Sequence, residues 1–357
     1  MSRIIWLLTS NRWNSAITEY ALSCAKALKL CGYEVVFTPL KDSPAEKRAL
    51  EAGLKVESLK SFGLSDFFTA YKMKRALNPE KVIAFGGREA TLCKVLFGSN
   101  FVRFFGQAID YSERDIWRFY QRKNSLKQSN VLLVPSEYLA GRLADFYPGL
   151  DPKVIDLGLD ETKFLVNAPK ASRPKLLILG RLDPVKGHKE FFKVFKTALD
   201  LWQFEKPKPQ LHVIGEAANT SVVELRQACL DLGLASDDVI FTDKRVEDIS
   251  EEISTSTLGL VTSKGSEVIC RVAEEFLLSG VPVFVSGVGS LKDVLFDGAG
   301  MCYAGLSDET AAELLVNTTI LSSKESLEQR RTRRNKAVER YSLESMGRRL
   351  TSALGLA

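Results

Sequence analysis

The sequence predicts an α/β protein built from two parallel-sheet domains, and three observations support this prediction. Short apolar runs rich in Val, Ile, Leu and Phe alternate with longer amphipathic stretches along the 357 residues, which is the pattern of parallel strands joined by helices. The alternation occurs twice, on either side of a polar stretch punctuated by prolines at 165–174. The composition, 45% hydrophobic and 26% charged, is that of an ordinary folded protein. We therefore expect two Rossmann-like domains that face each other across a cleft.

The predicted strands are the short apolar runs, taken in chain order. In the first half they are Ile4–Thr9, Glu34–Thr38, Lys55–Ser58, Lys81–Phe85, Phe101–Phe105 and Val131–Pro135. In the second half they are Lys175–Leu179, Gln210–Ile214, Asp238–Phe241, Leu258–Val261, Val281–Val285 and Met301–Tyr303. A helix at Glu19–Leu30 joins the first two strands, and Gly32 ends it.

The polar stretch sets the predicted domain boundaries. We place an N-terminal domain at 1–165 and a C-terminal domain at 166–340, with a hinge at 165–174. The last segment, 341–357, is helical in pattern and carries the apolar residues Leu343, Met346 and Leu350. We expect this helix to return to the N-terminal domain.

Charge and cysteine content narrow the classes of function. The net charge of +5 suits anionic small molecules or an anionic membrane surface, but it is too small to indicate nucleic-acid binding. The six cysteines show neither disulfide nor zinc spacing, so we expect reduced thiols in a cytoplasmic protein. Since no apolar run approaches the ~20 residues that span a bilayer, any membrane contact is expected to be peripheral.

Two common nucleotide-binding loops are absent from the sequence. The first predicted strand leads into Thr9–Ser15, which contains no glycine, whereas a dinucleotide-binding dehydrogenase carries GxGxxG at that place. The chain also lacks GxxxxGK[ST], which excludes a P-loop NTPase.

The first candidate site is the segment Gly180–His188, with the sequence Gly-Arg-Leu-Asp-Pro-Val-Lys-Gly-His. It follows a predicted strand and leads into a predicted helix. Arg181 and Lys186 therefore place two cations beside a helix N-terminus, where they can hold a diphosphate. The alternative is a solvated turn between strand and helix. His188 is expected to be an ordinary residue in the first turn of that helix.

The second candidate site contains Glu267 and Glu275, eight positions apart. Glu267 is predicted to lie on a loop, where a carboxylate can accept hydrogen bonds from sugar hydroxyls. Glu275 is predicted to lie inside the next helix, where it can hold the two hydroxyls of a ribose. Free backbone N–H groups at the start of this helix can face phosphate oxygens, and they belong to Val268, Ile269 and Arg271. The alternative is that Glu274 and Glu275 form a solvated helix face.

The two segments together resemble the family-4 retaining glycosyltransferases of the GT-B fold. That family carries a GR-x4-KG turn and a Glu-x7-Glu motif in its C-terminal domain, which the residues at 180–188 and 267–275 match. Three further stretches are similar to the family's, namely Val154–Phe164, Leu211–Gly215 and Ser279–Val283. The resemblance covers about residues 150–343, and it extends to the N-terminal domain only in layout.

The resemblance implies a function and a set of roles. The protein is expected to move a sugar, with retention at the anomeric carbon and without a metal or cofactor, from a nucleotide-sugar to a glycan or lipid-linked acceptor. The C-terminal domain would bind the sugar nucleotide and the N-terminal domain the acceptor. The predicted catalytic residues are Arg181, Lys186 and Glu267. The predicted donor-binding residues are Gly180, Val246, Val268, Ile269, Arg271 and Glu275, with 242–246 bordering the base.

The chain departs from the family pattern on the acceptor side. Many relatives have a glycine-rich loop after the first strand, where this chain has Asn11-Arg-Trp-Asn14, and a histidine in the region that Gln107 occupies here. We therefore assign Asn14, Ser15 and Gln107 to the acceptor side. The second motif contains an arginine, Arg271, and in this it resembles the motif of lipopolysaccharide- and capsule-type members. This resemblance indicates a role in cell-envelope polysaccharide synthesis.

Two other functions remain open. A GT-B sugar-nucleotide epimerase would keep the fold and the nucleotide site, but it would need a set of acid and base carboxylates that the sequence does not identify. A non-catalytic GT-B subunit would bind the nucleotide-sugar without turning it over. The joint presence of Arg181, Lys186, Glu267 and Glu275 argues against the second alternative.

Two basic segments complete the predictions. Glu113–Lys127 interleaves cations with aromatic residues, a pattern that can lie on an anionic membrane surface, although a packed helix with a solvated face has the same pattern. The run Arg330-Arg-Thr-Arg-Arg334 is predicted to be a solvated charge run.

Overall fold

The chain folds into two compact units. A computed structural model describes residues 3–109, 122–168, 172–204, 207–244, 246, 248–265 and 267–356. The first unit comprises Met1–Leu159 with Arg340–Ala357, and the second comprises Asp160–Glu339. The boundaries predicted from the sequence lie a few residues further along the chain, at 165/166 and 340/341.

The first unit contains a seven-stranded parallel sheet with the order β3-β2-β1-β4-β5-β6-β7. The strands β1 to β7 are Ile4–Thr9, Glu34–Pro39, Lys55–Val56, Lys81–Ala84, Val102–Phe104, Val131–Val134 and Pro152–Val154. The helices α1 to α5 are Ala16–Leu30, Pro44–Glu51, Phe67–Leu77, Gly87–Phe97 and Glu137–Phe146. The last helix of the chain, Leu343–Ala353, packs against α1.

The second unit contains a six-stranded parallel sheet with the order β10-β9-β8-β11-β12-β13. The strands β8 to β13 are Lys175–Leu179, Gln210–Ile214, Val239–Thr242, Leu258–Val261, Val283–Val285 and Gly300–Cys302. The helices α6 to α11 are His188–Leu201, Val222–Asp231, Ser250–Ser254, Arg271–Leu278, Asp308–Ser323 and Leu327–Tyr341; the last helix of the chain is therefore α12. The prediction of two α/β Rossmann-like domains is confirmed.

In each sheet the order in which strands are added reverses between the first and fourth strands of the unit. In the first unit β2 and β3 lie on one side of β1 while β4 lies on the other, and in the second unit β8 has the same position between β9 and β11. The loops that follow the two central strands run to opposite sides of the sheet and leave a crevice at its carboxyl edge, which is where open α/β sheets bind ligands. Each unit therefore has one such crevice, after β1 and β4 or after β8 and β11.

The arginines at 330–334 correct the prediction of a solvated charge run. Arg330 is fully buried and donates to the carbonyl oxygens of Ser254 and Ser256, at the end of α8. Arg334 donates to the carbonyl of Leu278, the last residue of α9, and Arg333 to that of Gly280 at 2.7 Å. The carbonyls at a helix C-terminus lack partners within the helix and favour positive charge. The run is therefore largely structural, because Arg330 and Arg334 cap the C-termini of α8 and α9.

Two further properties of the chain are visible in the fold. The six cysteines are free thiols, and four of them are buried. In the described part of the chain, no helix is both long enough and apolar enough to cross a bilayer.

Candidate functional site

The crevice of the second unit is bordered on one side by the turn after β8. Asp183 begins a short 3-10 turn at Pro184–Lys186 by accepting the N–H of Val185 at 3.0 Å. Gly187 follows with φ of +70°, and a Cβ at this position would overlap the carbonyl oxygen of Thr262. Only glycine combines this left-handed conformation with so close an approach.

The loop after β11 is tied to this turn. The Thr262 hydroxyl donates to the carbonyl of Lys186 at 2.7 Å, and the N–H of Lys264 donates to the carbonyl of Val185 at 2.7 Å. Two segments that are far apart in the sequence are thus joined by hydrogen bonds at the carboxyl edge of the sheet. This contact brings Lys186 beside Glu267.

Glu267 is buried and forms an ion pair with Lys186. Its Oε1 lies 2.5 Å from Nζ of Lys186 and also accepts the hydroxyl of Ser263 at 2.5 Å. Its carbonyl accepts the N–H of Ser290 at 2.8 Å and the Ser290 hydroxyl at 3.1 Å. Among the described residues, every hydrogen bond to this carboxylate reaches Oε1. Glu267 is therefore held in place through both its backbone carbonyl and its side-chain carboxylate.

Gly289 makes this arrangement sterically feasible. It has φ of +61°, and a Cβ there would overlap the carbonyl oxygen of Glu267. A larger residue would displace the loop that holds the carboxylate.

A cavity of about 150 Å³ lies at this place. Its walls include the apolar ends of β8 and β11 and the start of α9, and its polar lining includes Lys186, Thr262, Ser263, Glu267 and Arg271. Apolar walls with a few converging polar groups are typical of ligand sites.

The helix α9 carries the second predicted carboxylate. Glu275 is 7% exposed and accepts Nε of Arg271 at 2.7 Å. Glu274, its neighbour, is 4% exposed. The alternative of a solvated acidic face on this helix is therefore wrong, because both carboxylates are packed into the protein.

Four of the nine predicted catalytic and donor-binding residues lie at this cavity. Lys186, Glu267, Ile269 and Arg271 line it. The other predicted residues do not line it, and they are Gly180, Arg181, Val246, Val268 and Glu275. Arg181 is exposed in the turn after β8 and makes no ion pair among the described residues, whereas Val268 is buried. Val246 is partly buried and follows β10, and its neighbours at 245 and 247 lie outside the described residues.

His188 is the first residue of α6 and is 2% exposed. Burial disfavours the charged imidazole and Lys186 adds a positive charge nearby, which together lower the pKa of His188 to about 4. Its Nε2 is buried without a hydrogen-bond partner among the described residues. His188 is therefore a neutral residue inside the second unit.

The predicted acceptor residues lie in the first unit. Gln107 is exposed and lines a cavity after β1 and β4. Ser15 caps the N-terminus of α1 by accepting the N–H of Thr18 at 3.4 Å, and Asn14 accepts Nη1 of Arg48 at 3.0 Å. The structure thus separates Gln107, which lines the cavity, from Asn14 and Ser15, which do not.

Several residues at these sites were not predicted from the sequence. Ser263 and Ser290 hold Glu267, and Arg12, Trp13 and Arg88 line the cavity of the first unit. Single serines and arginines in loops carry no sequence signal of their own. Gly289 is needed for its left-handed conformation, but this need becomes apparent only in the fold.

Comparison with known families decides the identity of the second unit. A family model described as "Glycosyl transferases group 1" matches residues 160–338. The chain belongs to the group 1 glycosyl transferases. The matched residues contain Lys186, Glu267 and Glu275, and the prediction of a glycosyltransferase is confirmed. No curated protein matches the sequence.

Solved structures of other glycosyltransferases share the GT-B fold of this chain. A glycosyltransferase from Rickettsia africae ESF-5 has a TM-score of 0.80 at 14% identity, covering 99% of this chain and 98% of that chain. HepE of Anabaena, solved with UDP, has a TM-score of 0.79 at 17% identity, covering 99% and 100%. The lipopolysaccharide outer core galactosyltransferase WaaB has a TM-score of 0.71 at 15% identity, covering 99% and 99%. At these identities the likeness shows the fold.

Proposed function

We propose that this group 1 glycosyl transferase is a retaining, metal-independent, family-4 type enzyme that moves a sugar from a nucleotide-sugar to a glycan or lipid-linked acceptor. The observation that carries the proposal is the ion pair of Lys186 and Glu267 in a cavity at the sheet's switch point. A mobile cation beside a fixed carboxylate suits a donor that has a diphosphate next to a sugar ring.

The proposed reaction needs stabilisation of negative charge. When the bond between the anomeric carbon and the diphosphate oxygen breaks, charge develops on the leaving diphosphate. Lys186, Arg181 and the N–H groups at the start of α9 would stabilise it, which is the usual means of lowering such a barrier without a metal ion. In the described part of the chain, no group of three or more His, Cys, Asp or Glu residues is arranged to hold a metal.

The carboxylates have separate proposed roles. Lys186 would turn from Glu267 towards the diphosphate when the donor binds, which would free the carboxylate to accept sugar hydroxyls. Glu275, held by Arg271, would accept the ribose hydroxyls. The base would lie beside 242–246.

The experiment that tests this function is donor turnover. The protein is incubated with UDP-, GDP- and ADP-sugars and acceptor glycans, and mass spectrometry detects the released nucleotide and the glycoside. UDP-glucose is the first donor to test, because HepE was solved with UDP-glucose. Retention predicts that NMR finds the donor's anomeric configuration in the product. An epimerised sugar, whether free or still attached to the nucleotide, with no glycoside from any acceptor would favour an epimerase instead.

A role in the cell envelope and a cytoplasmic location with peripheral membrane contact complete the proposal. Two structures of similar fold are WaaB, a lipopolysaccharide outer core galactosyltransferase, and WaaG, a glycosyltransferase involved in lipopolysaccharide biosynthesis. The membrane contact would use Glu113–Lys127, of which 113–121 lie outside the described residues. In the described part, 122–127, Arg122 lies 5.6 Å from the Phe105 ring centre and Lys127 is exposed.

A further inference from the structure

The first unit has a cavity at its own switch point. It measures about 570 Å³ and is lined by residues 9–13, at and after the end of β1, and by residues 85–89, which follow β4, together with Ile17 and Gln107. This position in the first sheet is equivalent to that of the Lys186–Glu267 cavity in the second. The topology of an open α/β sheet therefore predicts a ligand here as well.

The rim of this cavity is positively charged. Arg12 and Arg88 are both exposed, and neither makes a hydrogen bond or an ion pair with any described residue. Unpaired arginines can hold a phosphate or carboxylate with two parallel hydrogen bonds.

The acidic residue of this lining does not offset that charge. Glu89 is 1% exposed, and its carboxylate accepts the N–H of Ser10 and, at 3.0 Å, the Ser10 hydroxyl. Buried Arg103, which donates to the carbonyls of Ala84 and Gly86, adds a positive charge near it. Glu89 therefore holds the loop after β1 in place, and the two exposed arginines determine the charge that a ligand meets.

An aromatic ring stands beside these arginines. The Trp13 side chain is 75% exposed, yet its backbone is held: its N–H donates to Oδ1 of Asn11 at 3.1 Å, and its carbonyl accepts the Thr18 hydroxyl at 2.8 Å. Because Trp13 also lines the cavity, its indole offers a ligand a flat apolar face with a polar N–H at its edge. A pyranose, with apolar C–H faces and a rim of hydroxyls, fits an indole flanked by polar groups.

We propose that this cavity binds a saccharide that carries negative charge, as a phosphate or a carboxylate. Arg12 and Arg88 bind the anionic group, Trp13 packs against the ring, and Gln107 bonds a hydroxyl. The proposal rests on the proposed function only for the role of this saccharide, which is that of the acceptor.

Isothermal titration of the full chain without donor tests this inference. The ligands are glucose 6-phosphate, glucuronate, glucose and inorganic phosphate. Glucose 6-phosphate and glucuronate should bind at least about tenfold more tightly than glucose, since one charge-assisted bond is worth about that factor. Comparing the two anionic sugars shows whether the site prefers phosphate or carboxylate.

Variants then assign the effect to the cavity. The double variant Arg12→Ala/Arg88→Ala should lose at least about tenfold in affinity for glucose 6-phosphate. Trp13→Ala should lower the affinity for glucose 6-phosphate but leave the affinity for inorganic phosphate unchanged. Arg75→Ala, an exposed arginine on α3 away from the cavity, is the matched control and should bind like the parent protein.

Three results would overturn the inference: no binding of either anionic sugar at millimolar concentration, equal affinity for glucose, or an arginine double variant that titrates like the control. Equal affinity for inorganic phosphate and glucose 6-phosphate would overturn the saccharide assignment. Because the titration contains no nucleotide, its failure is distinct from a failure of the proposed function. That failure would appear as no nucleotide release from any donor sugar.

Discussion

Nζ of Lys186 lies 2.5 Å from Oε1 of Glu267, although the two residues are 81 positions apart in the chain. The 3-10 turn carries the cation, and the loop after β11 carries the carboxylate. The Glu267 side chain is 8% exposed and that of Lys186 is 30% exposed, so the carboxylate depends on this cation while the cation can still reach solvent. A bound diphosphate would compete with Glu267 for Lys186.

Changing Glu267 or Glu275 to glutamine should affect different kinetic constants. Contacts from Glu267 to the sugar should tighten as the anomeric centre gains positive charge, so Glu267→Gln should mainly lower kcat. The ribose does not change during the reaction, so Glu275→Gln should mainly raise the donor KM. Steady-state kinetics at saturating acceptor measure both effects, and Glu190→Gln, an exposed carboxylate, is the control. If both substitutions change only KM, Glu267 does not face the sugar.

The buried arginines of the run at 330–334 should be needed for stability. Arg333→Met leaves the carbonyls of Gly280 and Gly298 and the carboxylate of Glu325 without this partner. We expect the free energy of unfolding to fall by about 2–4 kcal/mol, because buried polar groups left unsatisfied cost about 1–3 kcal/mol each. Urea unfolding measures the change, and Arg331→Ala, exposed on the same helix, is the control. Equal stability of the two variants would restore the prediction of a solvated charge run.

The buried His188 should make the stability of the protein depend on pH. Its pKa is about 4 in the folded protein and about 6.5 in the unfolded chain. Between these values the unfolded chain binds the proton and the folded protein does not, so stability is lost as the pH falls from about 6.5 towards 4, by up to about 1.4 kcal/mol per pH unit.

The measurement is urea unfolding at pH 7.5 and pH 5 for the parent protein and for His188→Gln. The variant should lose less stability between the two pH values than the parent does. An identical loss in both proteins would show that His188 is protonated in the fold or accessible to solvent.

Contact with an anionic membrane through Glu113–Lys127 predicts binding that depends on salt. The protein should float with phosphatidylglycerol vesicles at low salt and less at physiological salt, because screening weakens attraction between exposed charges. Neutralising Arg122, Lys123 and Lys127 together should lower the bound fraction. Changing Lys72 and Arg75, exposed on α3, is the control. No flotation at either salt would favour the alternative of a packed helix with a solvated face.

Most of the fold could be predicted because buried parallel strands are mostly apolar. The strands Ile4–Thr9, Lys175–Leu179, Gln210–Ile214 and Leu258–Val261 have the predicted bounds, and each is a run of mostly buried residues between polar ones. The strand Pro152–Val154 was missed, because it is three residues long, begins with proline and lies at the sheet edge without a buried run.

The site was predictable only in part. The spacing of Glu267 and Glu275 and the cations of the 180–188 turn are local patterns, and the resemblance to a family gave them roles. The ion pair of Lys186 with Glu267 depends on the order of the strands, which no local pattern contains. The burial of Arg330 and Arg333 was missed for a related reason, since the carbonyl oxygens that they bind are distant in the sequence.

The kcat/KM for nucleotide release by Lys186→Ala tests the account most directly. Loss of the cation should lower kcat/KM by about 30- to 1,000-fold, equivalent to about 2–4 kcal/mol of transition-state stabilisation. Lys264→Ala removes an exposed lysine from the neighbouring loop and should leave kcat/KM unchanged, and thermal unfolding shows whether both variants remain folded. An unchanged kcat/KM in folded Lys186→Ala would contradict the assignment of this cavity to the donor diphosphate.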